Sequence, residues 1–254
     1  MLNLFSFIYF NSPFFLIRSL SSITNLNKSN KPFVSSNTIN IRNQMELPSF
    51  LDQVLIGICL GDGFFEKSGS HKSNVRFKLT FAERYSALAN YIYGLFCYYI
   101  NPKGYYKNKV QSGLNSKFYG RIQLTSVALP VFNKYHNLFY KLIGAKYIKV
   151  IPLNIEELLT PISLAFFIMG DGNYHKTKKI IRLCTNSYTK EEVQLLSQSI
   201  FNKFGIESRL EHVRDNQFIL RISRNQVPLI QNLVKSHMHP TLLYRIGLPS
   251  TEQI

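Results

Sequence analysis

The sequence predicts an α+β fold made of two structural repeats in one compact unit, each running helix, strands, helix, strands, helix. Three observations predict it. An apolar helix closing on Gly-Asp-Gly is written twice, each copy is followed by a strand with a cationic face, and the helices and strands after that recur in the same order. Self-similarity comes before local structure because it changes the whole architecture.

The first helix is read over "FLDQVLIGICLGDG", from Phe50, and its second copy over "LAFFIMGDGNY", from Leu164. Ser49 stands where an N-cap belongs, with Asp52 completing a capping-box pattern. Thr160 followed by Pro161 is an equally good start for the second copy. The strands "VRFKLTF" (Val75 to Phe81) and "IIRLCT" (Ile180 to Thr185) come next. In the first, Val75, Phe77, Leu79 and Phe81 point one way and Arg76, Lys78 and Thr80 the other, the period of a half-buried strand. Helices follow over "ERYSALANYIYGLF" and "KEEVQLLSQSIFNKFG", the latter closing on Gly205 at a C-cap position. "FYGRIQLTSVALPVFNKY" then matches "QFILRISRNQVPLIQNLV", pairing Pro130 with Pro228. "YIKVIP" and "YRIGLP" close the halves with Lys149 and Arg245 in corresponding places. "PLNIEELLT" (Pro152 to Thr160) joins the repeats without a long linker.

The 254 residues are 45% hydrophobic, enough for a sizeable core. Lys and Arg number 30 against 14 Asp and Glu, a net charge of +16. Such a field points to a polyanion, nucleic acid ahead of an anionic membrane. Residues 1–45 contain no acid before Glu46, are rich in Ser and Asn, and carry Arg18, Lys28, Lys31 and Arg42. This reads as a mitochondrial transit peptide or a disordered, translated upstream extension. An unbroken apolar run of spanning length is missing there. Without those four cations the remainder is still strongly basic. Cys59, Cys97 and Cys184 are far apart and odd in number, so neither a disulfide framework nor a zinc site is supported, and all three read as small buried hydrophobes.

The acids Asp62 and Asp171 are odd where they stand. Each closes a helix, where the macrodipole is negative and an anion costs roughly 0.3–1 kcal/mol. For one copy the plain alternative is an Asp-Gly turn; for two matched copies a binding role for hard divalent cations accounts for both. Gly57 and Gly61 share a face and would admit a second helix closely, with Gly170 giving the partner helix the same opening. That packing would bring the two acids together.

"LIGICLGDG", "LAFFIMGDG" and the approach "IPLNIEELLTPISLAFFIMGDG" resemble the LAGLIDADG homing endonucleases in their single-chain, two-motif form. The resemblance covers Phe50 to Pro249. It implies a saddle of two pseudo-symmetric αββαββα halves with the motif helices packed at the centre, residues 46–152 forming the first and 153–254 the second. It implies metal ligation, by Mg²⁺ or Mn²⁺, through Asp62, Asp171 and the carbonyls of Gly61 and Gly170, with Lys149 and Arg245 as the catalytic basic residues. Leu60 and Met169 stand where the family name has Asp. Phe166 opposite Gly57 makes the helix seam asymmetric, and Arg245 replaces an expected lysine, so it stabilises charge but cannot act as a base.

Arg76, Lys78, Arg121, Gln123, Arg182 and Arg221 project from the strands and are the expected DNA readers, since Arg pairs with guanine and Gln with adenine. Lys67, Lys72, Lys107, Lys109, Lys176, Lys178, Lys179 and Arg214 read as loop cations that touch the backbone. His71, His136, His175 and His212 form no ligand pattern, and His237 and His239 read as a surface pair at a helix end. The implied function is a monomeric, intron-encoded endonuclease acting on double-stranded DNA in the mitochondrion, with no membrane role. The alternative is a maturase assisting the splicing of a group I intron RNA. A basic structural protein of an organellar ribosome is a third reading, and it leaves both acids unexplained.

Overall fold

Where the sequence repeats, the structure repeats. The computed structural model describes residues 44–67, 74–111 and 118–250, and the leader reading over residues 1–45 falls almost wholly outside them, as do His71 and Lys72. The first half contains α1 (Ser49–Leu60), β1 (Phe64–Lys67), β2 (Val75–Ala82), α2 (Ser86–Phe96), β3 (Ile100–Gln111), β4 (Phe118–Ser126) and α3 (Asn133–Phe139). A hairpin of β5 (Tyr140–Ile143) and β6 (Lys146–Lys149) and a single turn, α4 (Ile155–Leu158), lead on. The second half contains α5 (Pro161–Asp171), β7 (Gly172–His175), β8 (Ile180–Leu183), α6 (Lys190–Phe204), β9 (Ser208–Arg214), β10 (Gln217–Ile222) and α7 (Val227–Val234). Both halves are αββαββα. Their sheets are antiparallel with the same order, β1-β2-β4-β3 and β7-β8-β10-β9.

The motif helices are apolar on every side, and such helices belong inside. Val54 through Leu60 of α1 and Ser163 through Met169 of α5 are buried without interruption. Gly57 is what lets them touch: a Cβ there would lie 2.1 Å from the Ser163 carbonyl oxygen and 2.8 Å from Phe166 Cβ. The seam is asymmetric, as Phe166 predicts. The expected opening at Gly170 is not used, since no described atom comes within 4 Å of a Cβ placed there.

Of the two expected helix starts, one is corrected and one agrees. Ser49 is inside α1, not before it; Pro48 occupies the N-cap and no side chain caps the helix. Asp52 instead accepts hydrogen bonds from Lys134 Nζ at 2.6 Å and Tyr135 Oη at 2.5 Å, tying α1 to α3. Thr160 does cap α5: its Oγ1 accepts from Ser163 N at 3.1 Å while Ser163 Oγ accepts from Thr160 N at 2.8 Å. Thr189 and Glu192 build the same reciprocal box on α6, which ends on Gly205 at φ +67°. Each such cap contributes about 1 kcal/mol.

Val75, Phe77 and Leu79 are buried under the first sheet while Arg76 and Lys78 are half-buried on its other side. Ile181, Leu183, Leu220 and Ile222 do the same under the second. Cys59 is buried as expected, but Cys97 and Cys184 are exposed: Cys97 follows the end of α2, and Cys184 continues the alternation of β8 on the Arg182 side, between the buried Leu183 and Thr185. Lys67, Lys107, Lys109 and Arg214 lie in strands, not loops. His239 is no surface residue of a pair: it packs on Tyr91 with ring centroids 5.2 Å apart and accepts from Thr241 N.

"YIKVIP" and "YRIGLP" adopt different structures. The first forms β6, facing β5 across a turn with Gly144 at φ +62°; the second lies in a 3₁₀ helix, Pro240–Ile246, ended by Gly247 at φ +80°. No described helix is long and apolar enough to cross a membrane.

Candidate functional site at the ends of the paired helices

Gly-Asp-Gly terminates both helices by folding the chain back on an isoleucine. After α1, Gly61 N and Gly63 N both donate to the Ile58 carbonyl, at 3.2 and 3.0 Å. After α5, Gly172 N donates to the Ile168 carbonyl. A Cβ at Gly63 would stand 2.4 Å from Ile58 Cγ2, and one at Gly172 would stand 2.6 Å from the Ile168 carbonyl oxygen. The last glycine of each motif is therefore a close-approach position. Between the glycines, Asp62 is exposed in the turn after α1, whereas Asp171 is still the last residue of α5 and half-buried.

The sequence-predicted basic residues meet these turns symmetrically. Lys149 Nζ donates to the carbonyls of Gly61 and Gly63 at 2.5 and 2.9 Å. Arg245 Nη1 donates to those of Gly170 and Gly172 at 3.0 and 2.5 Å. Each cation thus brackets the acid of its own half by bonding the carbonyl on either side of it. The halves also cross. Asp171 Oδ2 lies 2.7 Å from where a Cβ on Gly61 would stand, which puts the second acid against the end of the first helix.

Two tyrosines without a role in the sequence reading complete the centre. Tyr188, from the second half, donates to the Leu60 carbonyl at 3.1 Å and so satisfies the C-terminus of α1. Tyr85, from the first half, lies under Arg245 with the guanidinium carbon 5.3 Å from its ring centroid. Both follow the matching strands, in "ERY" and "NSY", and that recurrence was the available signal. A cavity of about 260 Å³ beside Tyr85 is lined by Asp62, Gly61, Gly170 and Arg245 among others.

Burial, and then the neighbouring Asp62, push the Asp171 carboxyl up to about 7, with Lys149 and Arg245 pulling the other way. Burial holds the Lys149 amine below its ordinary range, opposed by Asp171 and Asp62. An acid that is costly to ionise where it stands is relieved by a cation beside it. The donor set is all oxygen, from two carboxylates and flanking carbonyls, and no group of three or more His, Cys, Asp or Glu that could hold a metal occurs among the described residues. That suits Mg²⁺, which keeps waters and phosphate oxygens and takes one or two carboxylates. The Gly61 and Gly170 carbonyls already accept from Lys149 and Arg245, and each retains a second lone pair.

The expected DNA readers fall on two sheet faces. On the first, Lys78 Nζ and Arg76 Nε lie 2.7 and 3.8 Å from Glu66 Oε2. Arg121 Nη2 donates to Gln123 Oε1 at 3.4 Å. On the second, Arg182 and Arg221 face each other in register, and Arg209 continues the row opposite Arg221. Glu211 holds Arg182 at 2.8 Å and Arg221 at 3.9 Å. Arg209, Glu66 and Glu211 were absent from the sequence-predicted set; strand register, which sequence alone leaves open, places them.

A model of the LAGLIDADG DNA endonuclease family matches residues 52–230. The cytochrome b mRNA maturase bI2 of Saccharomyces cerevisiae is 28% identical over 247 residues, which are 91% of this chain and 55% of that protein. The chain therefore spans about half the length of that relative. A probable intron-encoded endonuclease 1 of Wickerhamomyces canadensis is 30% identical over 79% of this chain and 85% of its own length. Among solved structures, the homing endonuclease I-WcaI bound to its DNA recognition sequence superposes with a TM-score of 0.75 at 21% identity, covering 87% of this chain and 96% of that one. At that identity the likeness establishes the fold.

Proposed function

The chain belongs to the LAGLIDADG DNA endonuclease family, and on that premise we propose that it is a monomeric, intron-encoded enzyme of the mitochondrion that cuts both strands of a specific DNA duplex with Mg²⁺ or Mn²⁺. The observation that carries this reading is the doubled bracket: Lys149 around Asp62 and Arg245 around Asp171, each through two glycine carbonyls.

Asp62, Asp171 and the free lone pairs of the Gly61 and Gly170 carbonyls would hold a divalent metal, which when bound would supply Lewis acidity for activating water and neutralising the leaving oxygen. Lys149 and Arg245 have further N–H donors beyond those spent on the carbonyls, and these face charge developing on the phosphate. Arg245 offers charge and N–H donors but no base, so its half relies on charge stabilisation alone. Tyr188 and Tyr85 fix the helix end and the guanidinium so that donors need not reorganise. The two cationic sheet faces bind the duplex on either side, Arg76, Lys78, Arg121 and Gln123 on one and Arg182, Arg209 and Arg221 on the other.

The maturase of Saccharomyces cerevisiae, matched over 91% of this chain, favours a second reading in which the protein also binds intron RNA. Cleavage of a randomised duplex library by the purified chain with Mg²⁺ tests the first. Site-selective double-strand cuts, lost in Asp62→Asn and in Asp171→Asn, are the expected result. Salt-sensitive binding with no cut in any variant would leave the RNA reading in its place.

A further inference from the structure

The β5–β6 hairpin is the one element of the first half that the second half replaces with something else. Its register pairs Tyr140 with Lys149, Lys141 with Ile148, Leu142 with Tyr147 and Ile143 with Lys146. Alternation then puts Lys141, Ile143, Lys146 and Ile148 on one face and Tyr140, Leu142, Tyr147 and Lys149 on the other. The second face rests on His136, whose ring stacks on Tyr140 at 5.0 Å and meets Tyr147 edge-on at 4.6 Å. On the first face Ile143 and Ile148 are 62% and 43% exposed, and toward the turn Leu142 of the second face is 55% exposed as well.

Apolar side chains this exposed, clustered on a two-stranded projection, call for a partner. In the second half the matching segment is the 3₁₀ helix Pro240–Ile246, with Leu242 and Ile246 buried. The partner's charge is legible. Lys141 and Lys146 have no ion pair among the described residues, and the sequence from Arg84 to Ile155 contains no Asp or Glu at all. The hairpin's base is the catalytic centre itself, because β6 ends on Lys149. At about 3.3 Å per residue its turn lies roughly 15 Å from that lysine.

We propose that this hairpin is a wedge: Leu142 and Ile143 enter between base steps of the duplex beside the cut, while Lys141 and Lys146 hold the phosphates flanking them. The proposal rests on the endonuclease reading and adds a one-sided deformation of the DNA to it. Leu and Ile are among the side chains that unstack a base step when a cationic frame anchors them, and the kink exposes more DNA to the protein. Among the described residues the second half has no such projection, so the bend lies on the first-half side alone.

The test uses the full chain and a duplex selected from a randomised library, end-labelled for energy transfer, with 2-aminopurine at the steps flanking the cut and Ca²⁺ in place of Mg²⁺. The wild-type chain shortens the end-to-end distance and brightens 2-aminopurine on one side of the cut. Leu142→Ser/Ile143→Ser binds roughly tenfold more weakly, the least expected from uncovering two apolar side chains, and leaves the duplex straight and the probe dark. Lys141→Gln/Lys146→Gln keeps the bend and lowers the salt slope by about 2. Unchanged melting of both variants shows that the fold is intact. A serine variant that bends and unstacks the duplex like wild type overturns the wedge while leaving the endonuclease standing. A wild-type chain that neither binds nor cuts duplex under any metal, yet crosslinks through the hairpin to RNA or protein, overturns both.

Discussion

Asp171 Oδ2 lies 2.7 Å from the point where a side chain on Gly61 would begin. The second acid is therefore seated in the space left by the missing side chain of the first motif. Any side chain at that position would meet the Asp171 carboxylate and displace it.

Two glycine-to-alanine changes in α1 and its cap should consequently behave oppositely. In Gly61→Ala the new methyl crowds the Asp171 carboxylate, which can swing aside, and touches Phe167 at the ordinary contact distance of 3.7 Å. Melting should stay within about 1 kcal/mol of wild type, while cleavage falls on the order of 10²-fold, the cost of misplacing a reacting group by about 1 Å. In Gly57→Ala the methyl meets the Ser163 backbone oxygen at 2.1 Å and Phe166 Cβ at 2.8 Å, and the helices must part. A loss of about 2–3 kcal/mol is expected. Denaturant midpoints and single-turnover rates of the pair decide it; equal stability losses would show that the seam and the site are not separable.

Without metal, Asp171 makes the protein acid-stabilised over a defined window. Its carboxyl titrates near 7 in the folded chain against an ordinary value of 3.8, raised by burial and then by Asp62. Between those values the folded state holds a proton that the unfolded state has lost, so stability falls as pH rises from about 4 to about 7 and is flat above. The full shift corresponds to at most about 4 kcal/mol. Asp171→Asn removes the titration, so the metal-free variant should melt higher than wild type at pH 8 and match it near pH 4. Mg²⁺ should raise the wild-type melting temperature at pH 8 and leave the variant nearly unmoved. A variant less stable than wild type at pH 8 would count against the reading that burial and the neighbouring Asp62 penalise the Asp171 carboxylate.

Much of this arrangement was readable from the chain, and the failures share a cause. The motif helices were legible because all-round apolar runs closing on Gly-Asp-Gly occur twice, and Thr160-Pro161 announced a helix start by purely local chemistry. Asp52 misled because its partners, Lys134 and Tyr135, come from a distant helix; a capping pattern lost to a tertiary contact. Cys97 and Cys184 read as core by residue type, whereas Cys97 lies past the end of α2 and Cys184 alternates with the buried Leu183 and Thr185. "YIKVIP" and "YRIGLP" look alike yet fold differently, because Gly144 turns the chain before one and Pro240 starts a 3₁₀ helix before the other. At the site, the acids and cations were nameable in advance. Their bracket was not, since backbone carbonyls are the acceptors and every residue has one.

Glu211 gives the last expectation. It stands on a sheet face that otherwise gathers Arg182, Arg209 and Arg221, and its carboxylate holds Arg182 at 2.8 Å and Arg221 at 3.9 Å. Toward a polyanion that acid is repulsive, so its presence has to be repaid by discrimination. It fixes two guanidinium groups in one pose and offers an acceptor for the cytosine amino group. Glu211→Gln should accordingly tighten binding to arbitrary duplex and steepen its salt slope by about 1, because one opposing charge is gone. The ratio of selected-site to arbitrary-site affinity should fall several-fold, on the scale of losing one base contact. Arg221→Gln should weaken both kinds of duplex and make the slope shallower by about 1. Competitive binding across a salt series reads all four values; a Glu211→Gln chain that keeps its discrimination would reduce Glu211 to a charge balance for its neighbours.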